Sequence, residues 1–396
     1  MAGIPGLRAY RMLSSNSAAT SSAEPALPAT GTGPACWLHA TDPAEYDALR
    51  MLAAQLTEMR GALQCLVSGG PAKPGPGESP RAIMAWLDRC QPQLIVLAGP
   101  VLPPNLIERA AARGIALMLV NATHAAAPGR WRWWPGLSAA LLRSFAQIHA
   151  RDEASAQAFT RQMRGTVPVM AGGALARFPP AAACNHVELA AMRDTLAGRP
   201  VWFAYSLPQD EADAALAAHA QALRRSHRLL MIIAPRDPRD GSALAARAAE
   251  LGFACARRAP DEDITETTQI YIADAEDEPG LFLRLAQVSY LGGSLTRDSG
   301  TPSPLPAAAL GSALVFGPHA GPEARSVLEP LRRIGGGRRI AAAGELGEAV
   351  SALLSPEIGA EVALKAWQFA TEGSDTTYHL ARTICDWMHL NQRGAA

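Results

Sequence analysis

Charge is scarce in this chain and favours neither sign. Among 396 residues, 36 basic side chains balance 36 acidic ones, and Lys73 and Lys365 are the only lysines. A chain that binds nucleic acid usually carries a clear basic excess. We therefore expect no nucleic-acid partner.

Several motifs that define large functional classes are also missing. No apolar run reaches the roughly 18 residues that a membrane-spanning helix needs. The six cysteines include no CxxC pair and the histidines no HxxxH pair, so we expect reduced thiols, no metal site and no cofactor. The absence of GxGxxG, Walker and GxSxG sequences argues against dinucleotide, P-loop and serine-hydrolase sites.

The residues that are abundant predict an α/β protein. Hydrophobic residues make up 48% of the chain and charged residues 18%, which is enough to bury a sizeable core. Short apolar runs alternate with helical stretches, a pattern typical of a parallel sheet covered on both faces. Strands are predicted at 36–40, 62–67, 94–98, 115–120, 145–149, 167–170, 201–204, 229–234, 253–256, 269–273, 288–291 and 313–316.

Two such series in succession predict two doubly wound, Rossmann-like domains that face a central cleft, the layout known as GT-B. The sequence Phe178-Pro179-Pro180 interrupts the pattern and marks the boundary between them. We predict a flexible segment over 1–34, a first domain over 35–185, a second over 186–372, and a C-terminal helix over 373–396 that crosses back to the first domain.

Seven short segments occur in a fixed order over roughly 300 residues. They are Trp37-Leu38-His39-Ala40 followed by Glu45, Pro104-Asn105-Leu106-Ile107, Val120-Asn121-Ala122, Pro235-Arg236-Asp237-Pro238-Arg239, Asp274 with Glu278, Leu291-Gly292-Gly293-Ser294-Leu295, and Gly317-Pro318. In order and spacing, they resemble the signatures of the 3-deoxy-D-manno-octulosonate (Kdo) transferases. The resemblance implies an inverting, metal-independent glycosyltransferase that moves Kdo, or a related sugar, from CMP-Kdo to a lipid A-type acceptor during lipopolysaccharide assembly.

Other positions depart from the family pattern. The family's paired glutamates fall on Gly99 and Val101, and its Asn-Ala-Arg signature ends here in Thr123. The family's Ser-Thr-His-x-Gly-Glu turn reads Tyr-Ser-Leu-Pro-Gln-Asp over 205–210, which keeps an acid and loses the histidine. The glutamate that faces the nucleotide in the family falls on Pro306.

The resemblance assigns the first domain to the acceptor. It makes Glu45 the base that deprotonates the acceptor hydroxyl, and it places Asn105 and Asn121 on the acceptor side. Glu45 also has a purely structural explanation, because Asp42-Pro43-Ala44-Glu45 reads as a capping box at the start of a helix.

The resemblance assigns the second domain to the nucleotide sugar. Its predicted site residues are Pro235, Arg236, Asp274, Glu278, Gly292, Gly293 and Ser294. Arg236 suits a phosphate clamp, with a surface ion pair to Asp237 or Asp240 as the alternative. Gly292 to Ser294 suits a phosphate loop or a plain tight turn. Asp274 and Glu278 lie in an acidic stretch, where solvated loop acids are the alternative.

We therefore expect a cytoplasmic transferase with a CMP-sugar donor and a lipid A-type acceptor. A peripheral contact with the inner membrane stays open, since Trp131, Trp133 and Trp134 lie among arginines in a loop that suits either a lipid interface or a half-buried anchor. Three alternatives remain for the function. One is a catalytically degenerate GT-B pseudoenzyme that acts as a binding or regulatory protein, and the second is a transferase with a different nucleotide-sugar donor. The third is a sugar-nucleotide epimerase of the same architecture, which would respond to UDP rather than CMP.

Overall fold

The computed structural model describes residues 34–124, 137–179, 181–275, 278–297 and 300–393. They form two compact units: unit 1 holds residues up to 179 together with those from 372 onward, and unit 2 holds residues 180–371. The division therefore falls a few residues before the boundary predicted at 185. The predicted flexible segment and the tryptophan-rich loop lie outside the described residues, apart from position 34.

Unit 1 is built on one parallel sheet. Its strands are β1 (Ala35–Ala40), β2 (Gln64–Ser68), β3 (Leu94–Ala98), β4 (Ala116–Ala122), β5 (Gln147–Ala150) and β6 (Val169–Ala171). The helices between them are α1 (Tyr46–Met59), α2 (Pro80–Cys90), α3 (Pro104–Ala112), α4 (Leu137–Leu142) and α5 (Glu153–Met163). The strand order is β2-β1-β3-β4-β5-β6.

Unit 2 repeats this construction with a larger sheet. Its strands are β7 (Val201–Leu207), β8 (Leu230–Pro235), β9 (Cys255–Arg257), β10 (Ile270–Ile272), β11 (Val288–Leu291), β12 (Ala313–Phe316) and β13 (Gly337–Arg339). Its helices are α6 (His186–Leu196), α7 (Ala212–Leu223), α8 (Gly241–Glu250), α9 (Pro279–Leu283), α10 (Leu305–Ala309), α11 (Pro322–Arg333), α12 (Leu346–Leu353) and α13 (Pro356–Thr371). The strand order is β13-β12-β11-β7-β8-β10-β9, and every pairing is parallel.

The last helix, α14 (Ser374–Arg393), belongs to unit 1. Leu380, Ala381 and Ile384 are buried in the core on the face of the sheet that α1 also covers. The start of α14 is fixed closely, because a Cβ on Gly373 would lie 2.5 Å from the carbonyl oxygen of Ala174. No helix among the described residues combines the length and the hydropathy that crossing a membrane requires.

Continuous apolar strands explain why both sheets are covered on two faces. All five residues of β3 are buried. Its successive side chains enter different cores, with Ile95 on one face of the sheet and Val96 on the other. In β8, too, the successive side chains of Ile232 and Ile233 enter opposite cores. The prediction of two doubly wound α/β domains, the components of the GT-B layout, is confirmed.

The strand orders also indicate where ligands bind. In each sheet the chain changes direction once, between β1 and β3 in unit 1 and between β7 and β11 in unit 2. Loops that leave such a switch point at the carboxyl ends of the strands separate and form a crevice, which is where open α/β sheets bind ligands. Most of the predicted site residues follow these strands or their neighbours.

Candidate functional site

Glu45 lies just beyond the carboxyl end of β1. The chain leaves the strand at Ala40, and the side chain of Asp42 caps a 3-10 turn, Pro43–Glu45, by accepting a hydrogen bond from the backbone N–H of Ala44. Asp42 therefore acts as the N-cap that the capping-box interpretation predicts. The carboxylate of Glu45 contacts another element, since its Oε2 accepts a 2.5 Å hydrogen bond from Nδ2 of Asn121.

Asn121 reaches Glu45 because the end of β4 is irregular. The register between β4 and β5 shifts between Leu119 and Ala122, and Asn121 has a φ of +50°. Asparagine tolerates this left-handed conformation better than most residues, and a bulge of this kind re-aims a side chain. The Oδ1 atom of Asn121 accepts from the backbone N–H of Leu175 at 3.3 Å, which orients the amide so that Nδ2 faces Glu45.

Asn105 is buried in the first turn of α3 and is held by Glu78. Its backbone N–H donates to Oε2 of Glu78 at 3.2 Å, and its Nδ2 donates to the carbonyl oxygen of Glu78 at 3.1 Å. The other carboxyl oxygen of Glu78, Oε1, is buried without a hydrogen-bond partner. Burial raises the pKa of Glu78 to about 7, although hydrogen bonding from Asn105 opposes this shift. Asn105 thus fixes the segment between β2 and α2, and its contact with an acceptor stays a prediction.

The positions where the family has paired glutamates have no acid here. Gly99 adopts a φ of +123°, and a Cβ at this position would lie 2.4 Å from Oγ1 of Thr41. The close approach follows from a backbone hydrogen bond of 2.7 Å from the N–H of Thr41 to the carbonyl of Ala98. Val101 is 42% exposed. Glycine at position 99 is therefore required by the local structure.

The glycine loop of unit 2 follows β11, and a buried carboxylate holds it. Glu211 is 1% exposed and precedes α7. Its Oε2 accepts from the hydroxyl of Tyr290 at 2.5 Å and from the backbone N–H of Gly293 at 2.7 Å. Its Oε1 accepts from the backbone N–H of Leu295 at 2.7 Å, and from the N–H and hydroxyl of Thr296 at 2.9 and 3.1 Å. Three loop amides are therefore occupied by a residue of the chain itself.

Gly292 and Ser294 are also engaged within the loop. The N–H of Gly292 donates to the carbonyl of Tyr205 at 2.9 Å. The hydroxyl of Ser294 donates to the carbonyl of Leu291 at 2.5 Å and accepts from the N–H of Gly317 at 2.8 Å, with Ser294 fully buried. In this arrangement the Ser294 hydroxyl joins the ends of β11 and β12. Its predicted contact with a nucleotide stays a prediction.

Arg236 follows the buried Pro235 at the end of β8 and lies against the glycine loop. Its Nη2 donates to the carbonyl of Gly300 at 2.6 Å, and a Cβ on Gly293 would lie 2.2 Å from that same nitrogen. The side chain is exposed. Asp237, one of the alternative ion-pair partners predicted for Arg236, instead accepts hydrogen bonds from the guanidinium of Arg239. Arg236 and Gly293, predicted separately, are therefore neighbours.

The two acidic residues that are predicted to contact the nucleotide form ion pairs with arginines. Asp274 has a fully buried side chain, and its Oδ2 accepts from Nε and Nη2 of Arg257 at 2.9 and 2.7 Å. Glu278 precedes α9, and its Oε2 accepts from Nε of Arg258 at 2.6 Å. Glu188 binds the same guanidinium. The solvated-acid alternative is wrong for Asp274, and a nucleotide contact by either acid stays a prediction.

Within the described residues, no group of three or more His, Cys, Asp and Glu side chains is arranged to hold a metal ion. Buried histidines serve the cores instead. His39 contacts Oγ of Ser68 at 2.9 Å, and burial lowers its pKa to about 4. His219 accepts from the indole N–H of Trp202 at 3.1 Å.

Comparison with known proteins finds sequence similarity to one family of transferases. A family model described as 3-deoxy-D-manno-octulosonic-acid transferase (kdotransferase) matches residues 72–170. The 3-deoxy-D-manno-octulosonic acid transferase of Haemophilus influenzae is 25% identical over 260 residues, and that of Bordetella pertussis is 29% identical over 255 residues. Over part of its length, the chain is therefore similar to the Kdo transferases.

The match to the family is partial in extent. Both alignments cover 62% of this chain and 57% of the relative, so the chain spans less than two thirds of the length of these curated relatives. Among solved structures, the C-terminal CMP-Kdo binding domain of WaaA from Acinetobacter baumannii is 24% identical, with a TM-score of 0.44. That alignment covers 46% of this chain and 96% of the other.

Sequence reasoning missed two glutamates, the buried Glu211 and the partly buried Glu78. Glu211 directly follows Asp210, the acid to which the family turn was aligned, so the motif pointed one residue short of the buried side chain. Glu78 lies in a Pro- and Gly-rich segment that carries no periodicity. Only Glu211 could have been identified from the sequence, because it is the second of two acids at the start of an apolar helix.

Proposed function

We propose that the chain is a glycosyltransferase that moves Kdo, or a closely related sugar, from a CMP-activated donor to a lipid A-type acceptor. The observation that carries the proposal is the hydrogen bond between Asn121 and Glu45. The resemblance assigned these residues separately to the acceptor side, and they meet at the carboxyl end of one sheet. Similarity to the Kdo transferases supports the donor and the acceptor class.

Glu45 serves as the general base in this proposal. Asn121 occupies Oε2, and a carboxylate has a second oxygen, Oε1, that can accept a proton from an acceptor hydroxyl. A base held by a fixed partner loses less freedom when the substrate binds, so the reacting atoms stay aligned. Glu45 is only partly buried, as access to a large glycolipid requires.

The transfer is a single displacement. The acceptor oxygen gives its proton to Glu45 and forms a bond to the anomeric carbon of the sugar, while the bond from that carbon to the phosphate oxygen of CMP breaks. CMP leaves with the electron pair of the broken bond, and the anomeric configuration inverts. The leaving phosphate gains charge, which a guanidinium placed beside it stabilises.

Arg236 is the cation that we assign to this phosphate. It lies at the carboxyl end of β8, next to the switch point of unit 2, and its side chain is exposed. Its guanidinium carries five N–H donors, and Nη2 donates to the backbone carbonyls of Gly300 at 2.6 Å and Ser206 at 3.4 Å, which holds the cation at the end of the strand. Asp274 and Glu278 are less suited to the donor, because both are paired with arginines.

We also propose that the chain works on the cytoplasmic face of the inner membrane. The argument is chemical: a lipid A-type acceptor stays in the bilayer, so a transferase must reach its headgroup from the aqueous side. Vesicles that contain the acceptor should retain the chain during sedimentation, and vesicles without it should retain less. Equal retention by both would contradict the proposal.

The decisive experiment replaces the base. Turnover of CMP-Kdo with a lipid A-type acceptor is measured for the full chain, for Glu45→Gln and for the control Asp47→Asn, an exposed acid of the same segment. We expect Glu45→Gln to lose about 100- to 10,000-fold in kcat, the range that general bases contribute. Its CMP affinity should match the wild type, and the control should keep full activity.

Two results would contradict the proposal. Unchanged turnover in Glu45→Gln would remove Glu45 from the mechanism. No turnover and no binding of CMP or CMP-Kdo by the wild-type chain would instead favour a binding or regulatory protein, and a response to UDP-sugars alone would indicate a different donor.

A further inference from the structure

The glycine loop of unit 2 differs from an ordinary phosphate loop in one respect. In such loops several backbone N–H groups point at the anion. Here the N–H groups of Gly293, Leu295 and Thr296 point at the carboxylate of Glu211. A phosphate cannot use these amides while Glu211 holds them.

The contacts of Glu211 are extensive enough to define the loop. Five donors converge on its two oxygens: the Tyr290 hydroxyl, three backbone N–H groups and the Thr296 hydroxyl. Burial first, and then the negative charge of Glu211, raise the pKa of Tyr290 above its ordinary value, so the hydroxyl remains a donor. Glu211 also precedes the first turn of α7, where a negative charge is favourable.

Glu211 is connected to Arg236 through Gly293. The N–H of Gly293 donates to Glu211, and its Cα lies against the guanidinium of Arg236. The carbonyl of Gly293 accepts from the hydroxyl of Thr301 at 3.0 Å, which fixes the neighbouring Gly300. Gly300 in turn accepts from Nη2 of Arg236 at 2.6 Å. A displacement of Gly293 would therefore move both groups that contact Arg236, namely Gly293 itself and the carbonyl of Gly300.

We propose that Glu211 is a positioning residue that fills the glycine loop as an internal anion and thereby places the guanidinium of Arg236 for the donor phosphate. The anion is then recognised by the Arg236 side chain and not by the loop amides. This inference rests on the proposed function for the identity of the anion. The coupling between Glu211 and Arg236 can be measured without any nucleotide.

The first measurement is hydrogen–deuterium exchange of the full chain without ligand. Glu211→Gln keeps the size of the side chain but presents an NH2 group where only donors face it, so one set of loop contacts is lost. We expect faster exchange in the loop 291–297 and in 234–240 around Arg236, with α13 unchanged. Faster exchange in all three would indicate general destabilisation and overturn the proposal, and so would exchange confined to the loop.

The second measurement is CMP affinity by titration calorimetry. We expect Arg236→Ala and Glu211→Gln each to weaken binding by about 10-fold or more, the scale of a lost charged hydrogen bond. The double variant should bind no more weakly than Arg236→Ala, because Glu211 acts through Arg236. A folded Glu211→Gln chain with unchanged CMP affinity, or fully additive losses, would overturn the proposal.

A milder variant keeps the inference testable if Glu211→Gln does not fold. Tyr290→Phe removes one of the five donors and leaves the carboxylate in place. It should increase exchange in the same two segments, and unchanged exchange there would overturn the inference. If the wild-type chain does not bind CMP, the proposed donor fails, while the exchange experiment still decides whether Glu211 positions Arg236.

Discussion

Asn121 and Glu45 are 76 positions apart in the sequence and are joined by a 2.5 Å hydrogen bond at the carboxyl end of one sheet. The bond depends on a left-handed residue in an irregular strand end and on the N–H of Leu175, which fixes the amide. Both features belong to the backbone, so the geometry of the pair is set before any substrate arrives.

Replacing Asn121 should therefore affect catalysis more than donor binding. In Asn121→Ala the carboxylate of Glu45 loses its fixed partner, and we expect kcat to fall about 10- to 100-fold, the cost typical of lost positioning. Asn121→Asp should be worse, because it places a second negative charge beside Glu45. Steady-state kinetics with CMP titration tests this, and a change confined to CMP affinity would contradict it.

Two glycines of unit 2 allow steric crowding to be separated from backbone strain. Gly293 and Gly252 have φ values of +73° and +85°, but a Cβ on Gly293 would lie 2.0 Å from the carbonyl of Gly300, whereas Gly252 has open space around it. Gly252→Ala should cost about 1 kcal/mol for the backbone alone. Gly293→Ala should cost about 1–3 kcal/mol more.

The thermal midpoint of unit 2 measures this difference. The two variants share the backbone strain, so any additional loss in Gly293→Ala reports the crowding against Gly300 and Arg236. Equal midpoints would show that the loop can move aside without cost.

Asp274 should behave as a structural residue. Its side chain is fully buried and binds Arg257 through two hydrogen bonds, so Asp274→Asn leaves a charged guanidinium without its partner. Breaking such a pair costs about 3–5 kcal/mol. Glu278→Gln should cost less, because Arg258 keeps Glu188 and Glu278 is more exposed. Thermal unfolding tests the order of the two, and a folded Asp274→Asn chain with strongly weakened CMP binding would reinstate Asp274 as a nucleotide contact.

The pH dependence of stability should report Glu78. Its pKa is raised to about 7 in the folded chain, so between pH 4.5 and 7 the folded state binds more protons than the unfolded state. The contribution of Glu78 to stability is therefore fully present at low pH and is lost as the pH rises towards 7. Buried His39 has the opposite sign, because its pKa is lowered to about 4.

The variant Glu78→Gln isolates the first of these contributions. Its melting temperature should fall less than that of the wild type between pH 4.5 and 7, while the exposed control Glu58→Gln should follow the wild type. Parallel curves for Glu78→Gln and the wild type would show that Glu78 does not titrate in this range.

Much of the fold follows from burial patterns that a sequence displays directly. The strands at 94–98 and 313–316 were predicted with their observed limits, because each is a continuous apolar run between polar or glycine-rich ends. Strand β13 was missed. It consists of Gly337, Arg338 and Arg339 at the edge of its sheet, so neither its hydropathy nor its propensity indicates a strand.

The sequence predicted which residues belong to the candidate site but not which of them are in contact. Motif order located Glu45, Asn121, Arg236 and Gly293, yet no spacing rule says that they meet in pairs. Their contacts arise from a bulge and from loop conformations with positive φ, which depend on tertiary structure. Glu211 was missed because a buried carboxylate looks like any surface acid until its donors are known.

The conformation of Gly99 has a consequence for how this chain can change. A glutamate there would need both a backbone with φ near +123° and the space now taken by Thr41. A larger residue at position 99 would therefore strain the backbone and require the Thr41 side chain to move. The contact between Gly99 and Thr41 therefore ties the loop after β1 to the loop after β3, so that a change in one of these loops constrains the other.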